Sequence, residues 1–98
     1  MTDELKLRKD LESAARAQRL LEDDTFKSAF EKLEADYIAV WRQTPARDTD
    51  ARERLWQAVN ILGKVRDHLG SVVANGAVAK RELDDLAHAG RRKIFGVV

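Results

Sequence analysis

The distribution of apolar positions marks residues 24–76 as the centre of the chain. From Asp24 the large apolar residues Phe26, Phe30, Leu33, Tyr37 and Val40 step by four and three alternately, which sets them on one face of a helix. Lys27, Glu31, Lys32, Glu34 and Asp36 fall between them and suit a solvated opposite face. Asp23 or Asp24 is placed to cap the start of this arm, and Pro45 stops it near Thr44, because the residue before a proline avoids the helical region. The pattern predicts a helix over about 24–43.

A second arm is predicted over about 49–75. Leu55, Val59, Leu62, Leu69 and Val73 share a stripe, widened by Trp56, Ala58, Ile61, Val65 and Val72. Asp50 with Glu53 reads as an acidic capping box, with Asp48 and Thr49 as competing caps. Arg66 falls in an apolar slot, so its stem is expected along the seam while its guanidinium reaches water or a carboxylate. Asn75-Gly76 has the composition of a left-handed C-cap. Two apolar helices joined by the Thr44–Asp48 turn predict an antiparallel helical hairpin. Trp41 and Trp56 flank that turn and are expected to pack together in a core with Phe30, Tyr37 and Leu62, or else to form a binding hot spot.

Weaker patterns flank the hairpin. Residues 3–22 predict an N-terminal helix with Leu7, Leu11, Ala14, Gln18 and Leu21 at four-three spacing. Gln18 is either a polar register-setting residue in that seam or simply exposed. This helix has two expected roles, packing on the hairpin or pairing with another copy. Residues 77–90 predict a short C-terminal helix, carried by Ala79, Leu83 and Leu86 and ended by Gly90. The tail changes character at Arg91-Arg92-Lys93, which precede the apolar Ile94, Phe95, Val97 and Val98. The fold class expected is all-α, a small helical bundle in a single domain spanning 1–98.

Composition limits this picture. Of the 44% nominally hydrophobic residues in 98, fourteen are alanine, so the core is modest unless a partner completes it. Eighteen basic and seventeen acidic residues give a net charge of +1, too balanced for nucleic-acid binding by bulk charge. The balance is uneven along the chain, −3 over residues 1–40 and +4 over 41–98. With no cysteine there is no disulfide or thiolate chemistry. No apolar run approaches the roughly 20 residues of a transmembrane helix, and Met1–Glu4 opens acidic rather than as a secretion signal.

Candidate chemistry is sparse. His68 and His88 lie on different predicted helices, and a zinc site would need further ligands at convergent positions. Asp23-Asp24 and Asp84-Asp85 are adjacent pairs, which diverge on a helix and form no acid–base dyad. No nucleophile–base constellation or glycine-rich phosphate loop stands out. The expectation is no catalytic residue, no metal site and no cofactor.

The run Ala17-Gln18-Arg19-Leu20-Leu21, then Ala29-Phe30, Leu33-Glu34 and Trp41-Arg42-Gln43-Thr44-Pro45-Ala46-Arg47-Asp48, continues with Ala51-Arg52-Glu53-Arg54-Leu55-Trp56 and Lys64-Val65-Arg66-Asp67-His68-Leu69. Together these resemble small helical proteins of tailed bacteriophages and prophages, over about residues 15–76. The resemblance implies a phage context, in which such chains serve as virion, assembly or host-takeover proteins, in the host cytoplasm or the virion. It transfers no functional residues.

The expected function is therefore that of a non-enzymatic structural or assembly protein, acting through contacts with copies of itself and with other phage proteins. Candidate contact residues are Leu7, Leu11, Gln18, Ile94, Phe95, Val97 and Val98, the last four as a tail docking on a neighbouring subunit. Two alternatives remain. A nucleic-acid-binding packaging or regulatory accessory would use Lys80, Arg81, Arg91, Arg92 and Lys93 as phosphate contacts. An inhibitor of a host enzyme or defence complex would look the same in sequence as the first reading. A membrane is not among the expected partners.

Overall fold

Apolar residues at helical spacing, one proline and strong local caps produce an all-α chain. A computed structural model describes residues 4–95 of the backbone and the side chains of residues 4–90. The described residues form three helices and no strand, α1 (Glu4–Glu22), α2 (Asp24–Gln43) and α3 (Thr49–Phe95). They cluster into two compact units, one joining residues up to Gln18 with those from Gly70 onward, the other comprising Arg19–Leu69.

A single residue separates α1 from α2. Asp23 is extended (φ −69°, ψ 124°), and its carboxylate accepts a 2.9 Å hydrogen bond from the Phe26 N–H. That bond satisfies one of the free donors at the helix start, so Asp23 rather than Asp24 is the cap. At the other end of α2, Thr44 is again extended, its N–H bonded to the Trp41 carbonyl at 3.2 Å and its hydroxyl donating to Val40 O at 2.7 Å. Pro45 enforces this conformation on the residue before it. Asp48 then caps α3, accepting from the Ala51 N–H at 3.3 Å through its side chain and from the Arg52 N–H at 3.1 Å through its carbonyl. Of the three competing caps, Asp48 prevails; Asp50 lies inside the first turn, where its charge suits the helix dipole.

Within the Arg19–Leu69 unit, α2 and the first part of α3 form the antiparallel hairpin. Arg52 reaches Trp41 and Thr44 near the turn, and Arg66 reaches Glu34 and Phe30 further from it. Phe26 and Phe30 stack with centroids 4.5 Å apart. The face that α2 turns inward is rotated from the expected stripe. Phe26, Phe30, Glu34, Tyr37 and Ile38 are half-buried, whereas Leu33 and Val40 are exposed. A two-helix seam is narrow, and the contacts of Arg66 with Glu34 and of Arg52 with Trp41 select which side of α2 closes it.

The shared tryptophan core does not form. Trp56 is 63% exposed and Trp41 39% exposed, and the face of Trp41 is covered by the Arg52 guanidinium at 4.1 Å. Trp56 follows Leu55 by about 100° around α3, which carries it out of the seam that Leu55, Val59 and Leu62 occupy.

The break expected at Asn75-Gly76 is also absent. α3 runs without interruption from Thr49 to Phe95, so the separate helix expected over 77–90 is part of it, and Gly90 does not end it. Gly76 has no positive φ and is buried. A Cβ built there would collide with the Ala14 Cβ and come within 3.4 Å of the Asp10 carbonyl oxygen. Gly76 therefore serves a close approach of α1 to α3, which outweighs the cost of about 1 kcal/mol that glycine incurs inside a helix. Leu7, Ala17 and Ala79 are buried in the same unit, a contact built largely from small side chains. In α1 the buried positions are Leu7 and Ala17, and Gln18 lies exposed outside the seam. The outer side of α1 carries the i,i+4 ion pairs Arg8–Glu4, at 2.9 Å, and Arg16–Glu12.

Candidate interaction surface

Helix periodicity divides the hairpin into two broad faces. At about 100° per residue, Arg66 lies some 40° to one side of Leu62 on α3, and Glu34 some 40° to one side of Phe30 on α2. These two residues meet at 3.0 Å, so those sides belong to the same face of the hairpin. Arg52 and Trp41 lie on that face as well. Arg52 donates to the Trp41 carbonyl at 3.2 Å and the Thr44 carbonyl at 2.9 Å, two acceptors at the C-terminal end of α2. There its charge opposes the negative end of the helix dipole while its plane covers the indole. The Arg66 guanidinium sits 5.5 Å over Phe30 as it pairs with Glu34. Two arginines thus close one face of the hairpin.

The opposite face has no such closure. Leu33 and Val40 on α2 lie about 60–80° to the other side of Phe30, and Val65 and Ile61 on α3 about 60–100° to the other side of Leu62. All four are exposed, at 42%, 51%, 41% and 58% respectively. Among the described residues of the Arg19–Leu69 unit none is buried.

The residues singled out in the sequence are dispersed. Leu7 is buried and Leu11 half-buried within the unit that α1 forms with the later part of α3, while Gln18 is exposed. Lys80 and Arg81 are exposed neighbours that diverge by about 100° on α3. The side chains of Arg91, Arg92, Lys93, Ile94 and Phe95, and Val97 and Val98 altogether, lie outside the described residues. Sequence reasoning missed Arg52. Its partners are eight and eleven residues away across a turn, beyond the reach of spacing rules; a cation following a helix stop and a cap was the available signal.

A cleft of about 240 Å³ is lined by Leu21, Phe26, Lys27, Phe30, Glu31 and Arg66. It is smaller than the usual ligand pocket of roughly 300–1,000 Å³. Among the described residues no three His, Asp or Glu side chains converge as a metal site, and no helix is long and apolar enough to cross a membrane. Compared with known protein families, curated proteins and solved structures, the chain matches none.

Proposed function

We propose that this chain is a non-enzymatic structural or assembly protein that acts through protein–protein contacts and associates with copies of itself. The observation that carries this reading is the imbalance between apolar residues and burial. In the Arg19–Leu69 unit no described residue is buried, yet Leu20, Leu33, Val40, Trp41, Trp56, Ile61 and Val65 are all exposed. Scattered apolar residues are normal on a protein surface, but a unit with exposed leucine, isoleucine and valine and only a half-buried seam of its own calls for a second surface. The resemblance of residues 15–76 to small helical phage proteins supplies the biological setting of the proposal, an assembly role in a tailed phage or prophage.

Sedimentation equilibrium tests the reading. A mass above the 11.1 kDa of one chain at micromolar concentration is expected. A monomer throughout that range would overturn it.

A further inference from the structure

We infer that the face of the hairpin carrying Leu33, Val40, Ile61 and Val65 binds the same face of a second copy, closing two hairpins into a four-helix bundle. The inference rests on the self-association proposed above and names the surface responsible.

Three observations converge. The first is the asymmetry of the hairpin. Arg52 and Arg66 lie across one face, held by Trp41, Thr44, Glu34 and Phe30, so a partner approaching there meets charged side chains already engaged. On the other face four branched apolar residues, two from each helix, are all exposed, and the exposed Arg54, about 80° from Leu62 on the same side, lies toward the turn. The second is its relief. Ala29 lies beside Leu33 and Val40 on α2, and Ala58 beside Val65 on α3, about 40–100° from the seam centre on the same side. Alanines among larger apolar side chains leave the grooves into which the ridges of another helix fit.

The third is area. α2, with 20 residues, is about 30 Å long, and two helices at the usual spacing of 8–10 Å make a face about 20 Å wide. The footprint is about 600 Å² per copy, or about 1,200 Å² in all, which reaches the lower limit of specific protein interfaces. A single helix docked on this face would cover about half as much and fall below that range. The partner must therefore be about as wide as the hairpin itself. A twofold axis places apolar residues of each copy against those of the other and covers both faces in one step. It also encloses the Phe30, Tyr37 and Leu62 seam, which one hairpin leaves half-exposed.

The test compares three full-length proteins by sedimentation equilibrium, with circular dichroism to confirm helix content. The wild type should reach twice 11.1 kDa. Ile61→Glu/Val65→Glu sets four charges into the joint face and should weaken association about 100-fold or more, leaving a helical monomer. Trp56→Glu alters a more exposed apolar residue away from the proposed face and should dimerise like the wild type. If the double glutamate variant loses helix, Ile61→Ala/Val65→Ala decides instead, because it removes apolar area from both copies without adding charge; association weakened about 100-fold or more is then expected. A wild-type dimer whose Ile61/Val65 variants associate normally would reject this face and leave self-association standing. A wild type that assembles into trimers or larger rings would reject the closed twofold pairing. A monomeric wild type would overturn both the face and the proposed function.

Discussion

Gly76 offers the sharpest check on the packing of α1 against α3. Replacing glycine by alanine inside a helix ordinarily adds about 1 kcal/mol of stability through backbone entropy. At Gly70, where a Cβ would meet nothing within 4 Å, that gain should appear in full. At Gly76 the same methyl collides with the Ala14 Cβ and crowds the Asp10 carbonyl, rigid atoms that cannot swing away as a long side chain could. Overpacking of this kind costs about 1–3 kcal/mol, and the rigidity of the neighbours favours the upper half of that range. The net effect of Gly76→Ala should therefore be a loss of up to about 2 kcal/mol. Relative to Gly70→Ala, in which the propensity gain is identical, the deficit should be about 2–3 kcal/mol. Thermal unfolding at fixed protein concentration reads this directly, since 1 kcal/mol moves the midpoint of a chain this size by about 4–8 °C. Adding Ala14→Gly to Gly76→Ala reopens the contact and should recover most of the clash term, a positive coupling in the double-mutant cycle. Equal melting of Gly76→Ala and Gly70→Ala would refute the close approach and return Gly76 to a local role.

Three further outcomes follow from the hairpin. Asp23→Ala should lower stability by about 1 kcal/mol in urea denaturation, through loss of the Phe26 cap, while Asp24→Ala should cost less. Arg66→Ala should cost about 1–1.5 kcal/mol, combining a half-exposed ion pair to Glu34 with the stack on Phe30; Glu34→Gln, which spares the stack, should cost less than 1 kcal/mol in the same assay. In the isolated chain, Trp56→Ala should change stability by no more than about 0.5 kcal/mol, whereas Trp41→Ala should cost about 1–2 kcal/mol with the Arg52 contact; acrylamide quenching of the single-tryptophan variants should reach Trp56 more readily.

What sequence alone determined is the part of the molecule governed by neighbours along the chain. The all-α class, the end of α2 before Pro45, a cap at Asp23 or Asp24 and the two arms of the hairpin all depend on residues within a few positions or on strict helical period. The continuity of α3 was legible in the same way. Leu55, Leu62, Leu69, Gly76 and Leu83 recur every seven residues, so the apolar register continues straight through Gly76. Local composition at Asn75-Gly76 pointed the other way, because glycine serves equally as a cap and as a gap in a packed surface, and only a partner helix distinguishes the two. Tertiary structure decided the rest. The rotation of α2 that exposes Leu33 and Val40, the Arg52 contact with Trp41 and the parting of the two tryptophans all depend on which side chains meet across the turn. Those meetings join residues eight to thirty-two positions apart. Periodicity specifies a helical face only to within about one residue, roughly 100°, and a seam between two helices is no wider than that.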